Sequence, residues 1–93
     1  MQTYIENGTE KKDTTYNGWK NRQTWNVALY IANEEPLYRA ACAFMAKYAG
    51  KRPYAAFIRS EGLERDRTPD NIGWISTRLD YPELNAFMRE LIS

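Results

Sequence analysis

The chain has 93 residues, of which 43% are hydrophobic and 14% are aromatic. This length allows one small domain with a single core, and the aromatic share predicts that large rings fill much of that core. Thirteen basic and twelve acidic residues leave a formal charge of +1. This total charge excludes a strongly basic nucleic-acid binder and an acidic DNA mimic, so an electrostatic partner must be recognised by a local patch.

The composition also bears on location. No apolar run approaches the ~20 residues that cross a bilayer, so we expect no membrane protein. Cys42 is the single cysteine, which excludes an internal disulfide, and the N-terminus has no apolar stretch typical of a secretory signal. We therefore expect a protein of a reducing cytoplasm.

The first fifteen residues are polar apart from Tyr4 and Ile5. The dipeptide Asn7-Gly8 favours a tight hairpin turn, whereas the small apolar surface favours a flexible tail, and both interpretations stay open. We divide the chain into a polar N-terminal segment or hairpin, 1–15, and a helical domain, 16–93.

Two of the three tryptophans lie close together at the start of the helical domain, beside a turn dipeptide. Asn-Gly readily adopts positive φ, so the chain is predicted to turn sharply there and to pack the first indole against the next part of the chain. We interpret the segment as a structural motif that leads into a helix. Its members are Asn17, Gly18, Trp19, Asn21, Thr24 and Trp25.

Hydrophobic spacing predicts a mainly α fold of about four helices in one compact domain. The first helix follows Asn21 as N-cap and presents a face of Trp25, Ala28, Leu29 and Ala32, which Val27 and Ile31 widen. The second runs from about Pro36 to Ala49 with Gly50 as its C-terminal cap. Predicted core members are Trp25, Leu29, Phe44, Phe57, Trp74 and Phe87.

The C-terminal half predicts two further helices separated by a turn or extended segment. Pro53 opens the third helix and Gly62 stops it. After a charged run and a turn around Pro69, the last helix begins at Asp80, which has capping-box spacing with Glu83.

The residue types offer little catalytic chemistry. The chain has no histidine, which removes the usual general base and the commonest metal ligand, and no glycine pattern typical of nucleotide binding. Without a histidine to activate it, Cys42 is interpreted as a structural thiol. We therefore predict a non-enzyme with no catalytic residue, no metal and no cofactor. The open alternative is paired-carboxylate catalysis, whose candidate acids are Glu34, Glu35, Asp66, Asp70 and Asp80.

Aromatic and basic residues interleave in the motif, a composition that can stack bases and neutralise phosphates. This alternative is a small nucleic-acid-binding module that uses Trp19, Lys20 and Arg22. Packing of the indole in the core, with both cations in solvent, is the favoured interpretation because the total charge attracts phosphate weakly.

The opening Asn-Gly-Trp-x-Asn-x-x-Thr-Trp, followed by Asn-Val-x-Leu, resembles a family of small uncharacterised proteins from bacteriophages and other mobile genetic elements. Matching residues are Asn17, Gly18, Trp19, Asn21, Thr24, Trp25, Asn26, Val27 and Leu29. A weaker likeness continues to the C-terminus, and the segment 1–15 lies outside it. The resemblance implies provenance and fold and carries over no activity or catalytic residue.

The leading hypothesis is a phage or mobile-element accessory protein that binds a host or viral protein, such as a defence nuclease complex of CRISPR or restriction type. The sequence does not identify the partner or the oligomeric state. Surface loops and helix ends carry recognition more often than a core does. The candidate partner-binding residues are Glu34, Glu35, Lys51, Arg52, Glu64, Arg65 and Arg67.

Overall fold

Four helices follow one another in a computed structural model that describes residues 16–93. They are α1 (Arg22–Asn33), α2 (Glu35–Lys47), α3 (Pro53–Ser60) and α4 (Tyr81–Glu90). Within these residues there is no sheet, and the only β pairing consists of two isolated bridges. The predicted mainly α domain of about four helices is thus confirmed.

The segment 1–15, with its predicted hairpin or tail, lies outside the described residues. Among the four helices, none combines the length and the apolar character that a membrane span requires.

The helix starts follow the capping chemistry that the sequence predicts. The Asn21 side chain accepts a hydrogen bond from Thr24 N at 2.8 Å, and the Asp80 side chain accepts one from Glu83 N at 2.9 Å. Each bond satisfies one of the backbone donors that a helix leaves free at its first turn. In α2 and α3, a proline occupies the first turn instead, where its missing N–H costs nothing.

The two predicted glycine stops have different outcomes. Gly62 has a φ of +72°, and the bonds Gly62 N to Arg59 O (3.1 Å) and Leu63 N to Ile58 O (3.0 Å) form a Schellman motif. This stop is confirmed.

The Gly50 cap is wrong, because α2 ends at Lys47 with Tyr48 as its cap. At position 50, a Cβ would meet the ring and hydroxyl of Tyr48, which folds back over it, so the end of the Tyr48 side chain would have to shift. The glycine accommodates the close approach of a side chain, and not a left-handed backbone.

The helices enclose a core in which Phe57 and Trp74 are buried, as predicted. The buried hydrophobic residues are Val27, Ala28, Ile31, Ala41, Met45, Tyr54, Phe57, Ile58, Trp74, Leu79, Leu84 and Met88. Of the other predicted core members, Phe44 and Phe87 are half-buried and pack against this core, whereas Trp25 and Leu29 are half-buried and do not belong to it.

The register of α1 explains part of this difference. Its predicted face included Ala32, which is exposed, while the polar side chains of Thr24 and Asn26 are fully buried beside Val27 and Ile31. Both polar side chains have hydrogen-bond partners inside the domain, which offsets the cost of removing them from water. Hydrophobic spacing alone gives such residues to the solvent face, so it predicts the burial of Val27, Ala28 and Ile31 but misses that of Thr24 and Asn26.

The segment between α3 and α4 carries Trp74 into the core. It turns tightly at Thr68–Asn71, where Asn71 has a φ of +67°, and an antiparallel bridge joins Arg67 to Gly73. The Trp74 carbonyl accepts a hydrogen bond from the buried Tyr54 hydroxyl at 2.7 Å. This bond ties the segment to α3.

The burial of Tyr54 predicts that the fold loses stability at alkaline pH. Burial first, and the nearby Tyr81 second, raise the pKa of Tyr54 far above the ordinary tyrosine value. In the unfolded chain Tyr54 ionises near pH ~10, whereas in the fold it keeps its proton. Stability is therefore fully present below that pH and falls as the pH rises above it. We expect the melting temperature to fall between about pH 9 and pH 11, less steeply in Tyr54→Phe. If the melting temperature fell equally steeply with pH in the parent and in Tyr54→Phe, Tyr54 would not be the cause of the alkaline destabilisation.

Candidate functional site

The tryptophan motif begins with a two-residue hairpin turn. Tyr16 and Trp19 exchange both backbone hydrogen bonds, at 2.6 and 2.8 Å. Asn17 and Gly18 between them have φ of +50° and +87°, which is the pattern of a type I′ turn. The predicted sharp turn is confirmed, and it aligns two aromatic side chains at its ends.

Those two side chains reach different helices. Tyr16 meets Trp25 of α1 edge-on, with ring centroids 4.9 Å apart, and Trp19 meets Phe87 of α4 edge-on at 5.7 Å. Edge-to-face pairs of this kind add about 0.5–1.5 kcal/mol to the free energy of area burial. The turn therefore joins the start of α1 to the middle of α4 through aromatic contacts.

Hydrogen bonds tie the same region to the start of α4. Lys20 N donates to Glu83 Oε1 at 2.8 Å, Asn21 Nδ2 donates to the Arg78 carbonyl at 2.8 Å, and Asp80 N donates to Thr24 Oγ1 at 2.9 Å. In an ordinary capping box, the Glu83 carboxylate would accept from Asp80 N. Here Thr24 takes that place, and Glu83 turns to Lys20, so the two helix starts cap each other.

This geometry predicts that removing the Trp19 ring lowers stability more than removing the charge of Lys20 or Arg22. Trp19→Ala loses the contact with Phe87, so we expect a loss of about 1–3 kcal/mol of unfolding free energy. Lys20→Ala and Arg22→Ala alter exposed side chains and are expected to stay within about 0.5 kcal/mol. Chemical denaturation of the three variants checks this. A Trp19→Ala protein as stable as the parent would show that the ring is not a structural support.

A second polar cluster lies around Asn26, which is fully buried. Asn26 Nδ2 donates to Asp70 Oδ2 at 2.7 Å, and Asn26 Oδ1 accepts from the Thr68 hydroxyl at 2.7 Å. Thr68 Oγ1 accepts from Ile72 N at 3.2 Å in turn. Asn26 thereby fixes the turn that precedes Trp74.

The Tyr30 hydroxyl reaches the same carboxylate and donates to Asp70 Oδ2 at 3.4 Å. Burial, followed by the charge and hydrogen bond of Asp70, raises the pKa of Tyr30. Tyr30 therefore stays a neutral donor, and α1 holds the turn through two of its side chains.

The surroundings of Trp19 disfavour nucleic acid there. A shallow groove of about 240 Å³ is lined by Gly18, Trp19, Glu83, Ala86, Phe87 and Glu90. Its charged side chains are two glutamates, which repel phosphates. Lys20 and Arg22 are exposed, while Trp19 itself is half-buried.

The predicted pair Lys51 and Arg52 lies where α2 leads into α3. Together with Arg59 it forms the basic groove, a cleft of about 360 Å³ lined by Tyr48, Lys51, Arg52, Ala55, Ala56 and Arg59. All three cations are exposed. Within residues 16–93, Arg59 alone of the three has a carboxylate within 4.0 Å, that of Glu64.

The basic groove continues into a less polar cleft between α3 and α4. This apolar groove, of about 450 Å³, is lined by Arg52, Ala55, Tyr81, Pro82 and Asn85. Asn85 Oδ1 accepts from Tyr54 N at 3.0 Å, which fixes the start of α3 against α4. Because Arg52 and Ala55 line both clefts, the two form one continuous surface.

The other predicted partner-binding residues lie in two further places. Glu64, Arg65 and Arg67 line an open groove of about 340 Å³ whose other members are Asp66, Gly73, Ile75 and Ser76. Glu34 joins α1 to α2, and the neighbouring Glu35 pairs with Arg39 at 2.6 Å. The structure thus places Lys51 and Arg52 in the basic groove, and Glu64, Arg65 and Arg67 in a second groove. Glu34 and Glu35 line neither of these two grooves.

The candidate catalytic acids occupy different settings. Asp70 is bonded to Asn26, Asp80 caps α4, and Glu35 pairs with Arg39. Asp66 lines the loop groove, where it is exposed and flanked by arginines. Residues 16–93 contain no group of three or more metal-ligating side chains.

A family model described as a family of unknown function (DUF7249) matches residues 12–93. The chain belongs to the DUF7249 family. No curated protein and no solved structure matches the chain. The match includes the whole tryptophan motif and all four helices of the DUF7249 chain.

Sequence reasoning missed two residues that organise the DUF7249 fold. Asn26 was noted only as part of a resemblance, and Thr24 only as a motif member, although both are fully buried. Their position among apolar neighbours on a 3.6-residue period was the available signal, because a polar residue on a buried face requires a partner.

Proposed function

We propose that the DUF7249 chain is a non-enzymatic accessory protein of a bacteriophage or another mobile element, and that it acts in the host-cell cytoplasm by binding a host or phage protein. A host defence complex of CRISPR or restriction type is the class of partner that the phage resemblance suggests. One observation carries the proposal: the side chains of the tryptophan motif pack within the domain, whereas the basic groove is open to solvent.

Several groups of the tryptophan motif that could contact a ligand are already engaged in contacts within the domain. The edge of the Trp19 ring meets Phe87, Lys20 N is bonded to Glu83, and the amide of Asn21 is bonded to Arg78. A ligand that used these groups would have to break contacts that join α1 to α4. This favours protein binding elsewhere over the nucleic-acid alternative.

The basic groove has the features of a recognition surface. Three exposed cations surround a floor of two alanines, and Tyr48 forms one wall. Polar rims around a small apolar floor are typical of protein interfaces. Arginine and tyrosine are also enriched among the residues that dominate binding energy.

Affinity capture with paired charge reversals tests the proposal. The bait variant Lys51→Glu/Arg52→Glu is compared with the parent and with the control Lys20→Glu/Arg22→Glu, using lysate of a bacterial host. Each variant reverses one lysine and one arginine near a helix start, where acidic residues are favoured. We expect a protein captured by the parent and by the control to be lost from the first variant.

Two results would contradict the proposal. One is repeated recovery of no protein by the folded parent. The other is loss of the captured protein, or of bound nucleic acid, from the Lys20→Glu/Arg22→Glu control alone. Melting curves of all three baits confirm that the comparison is between folded proteins.

A further inference from the structure

From the basic and apolar grooves we infer the chemistry of the partner: they recognise a short, extended, acidic segment of a protein that carries one large apolar side chain next to its carboxylates. This inference rests on the proposed function and specifies the occupant of that surface.

The positive charge of the basic groove favours binding of the acidic part of the segment. Lys51, Arg52 and Arg59 line the basic groove, and among residues 16–93 the one carboxylate within 4.0 Å of these cations is that of Glu64, which reaches Arg59. Nearby, Arg89 Nη2 donates to the Lys51 carbonyl at 3.2 Å, which brings a further guanidinium to this corner of the domain. A partner with carboxylates complements this excess of positive charge.

The wall of the basic groove is preorganised. Tyr48 stacks on Phe44 with ring centroids 5.0 Å apart, and its hydroxyl accepts from Arg52 N at 3.3 Å. The absence of a side chain at Gly50 leaves room for the ring. A fixed wall reduces the ordering cost of binding.

The adjoining apolar groove selects the apolar side chain. Ala55, Tyr81 and Pro82 supply its surface, and its volume of about 450 Å³ exceeds that of the basic groove. A leucine or an aromatic side chain fits such a cleft beside the cations, whereas a duplex keeps its bases paired inside the helix and presents its phosphates. The combination therefore favours an acidic peptide over a double-stranded nucleic acid.

The dimensions match a short segment. From Arg52 to Arg59 the axis of α3 rises about 10 Å, which three or four extended residues span. Arg52 and Ala55 belong to both grooves, so one segment places its carboxylates in the first groove and its apolar side chain in the second.

Fluorescence anisotropy at low salt tests the inference with a labelled synthetic peptide in which one leucine is flanked by glutamates. We expect this peptide to bind the parent, and Lys51→Glu/Arg52→Glu to weaken binding by about tenfold or more, because like charges would face each other. The matched control Lys20→Glu/Arg22→Glu should stay within about twofold. Replacing the leucine by serine should also weaken binding.

Three results would overturn the inference. The first is a peptide with lysines that binds as well as the acidic one. The second is unchanged affinity after the leucine is replaced, and the third is a single-stranded DNA of equal charge that binds more tightly than the peptide. The proposed function fails separately: if the capture experiment still loses its protein with Lys51→Glu/Arg52→Glu while the acidic peptide does not bind, protein binding stands and the inferred partner chemistry is wrong.

Gly50→Ala tests the preorganised wall without changing charge. The added methyl collides with the Tyr48 ring, so the ring must move and peptide binding should weaken by at least about threefold. Unchanged affinity in a folded Gly50→Ala protein would contradict the role of Tyr48.

Discussion

Phe57→Ala is expected to lower the free energy of unfolding by about 3–5 kcal/mol. Phe57 is fully buried, and its ring lies 5.6 Å from that of Phe44 on the neighbouring helix. Its removal leaves a cavity beside the other buried side chains of the core. Because small domains are stable by only about 5–15 kcal/mol, this loss is a large part of the total stability.

Denaturant titration of Phe57→Ala measures this loss, with Tyr38→Ala as the control. Tyr38 is 40% exposed, so its replacement should change stability by about 0.5 kcal/mol or less. Trp25→Ala should fall between the two, since that ring is half-buried. A loss below about 1 kcal/mol for Phe57→Ala would mean that the core is not centred on α3.

Asn26→Ala is expected to be the second most damaging change, with a loss of about 2–4 kcal/mol. Asn26 is fully buried, and its removal leaves the buried Thr68 hydroxyl without its acceptor, whereas water can solvate the exposed Asp70 carboxylate. Both lost hydrogen bonds are 2.7 Å long.

A double-mutant cycle separates these contributions. Asn26→Ala combined with Asp70→Ala removes both partners, so it should cost less than the sum of the single changes by about 1–3 kcal/mol. Asn26→Ala combined with Tyr38→Ala serves as the additive control. Strict additivity in the Asn26 and Asp70 pair would show that the cluster does not hold the turn.

Local chemistry made much of the fold predictable. The Asn17-Gly18 turn, the Asn21 and Asp80 caps and the Gly62 stop each depend on a few adjacent residues. Short-range rules of turn and cap chemistry therefore predict the helix count and most helix starts.

Long-range pairing was not predictable in the same way. Glu83 bonds to Lys20 across 63 positions, and Asn26 bonds to Asp70 across 44. Nothing near Asn26 in sequence identifies such a partner, so hydrophobic spacing assigned Trp25 to the core and left Asn26 out of it.

The candidate surface was predictable in part. Lys51 and Arg52 were predicted as candidate partner-binding residues, but cations near the C-terminal end of a helix are also favoured by the helix dipole, so the sequence alone does not distinguish the two roles. Only the packing of α3 on α4 through Asn85 and Tyr54 forms the adjoining apolar groove.

The most direct test of the claim that the tryptophan motif is a packing element is a double-mutant cycle between Trp19 and Phe87. Unfolding free energies are measured for the parent, Trp19→Ala, Phe87→Ala and the double variant. With the ring centroids 5.7 Å apart in an edge-to-face pair, we predict a coupling energy of about 0.5–1.5 kcal/mol. A coupling near zero, with a Trp19→Ala protein that keeps its stability, would contradict the claim.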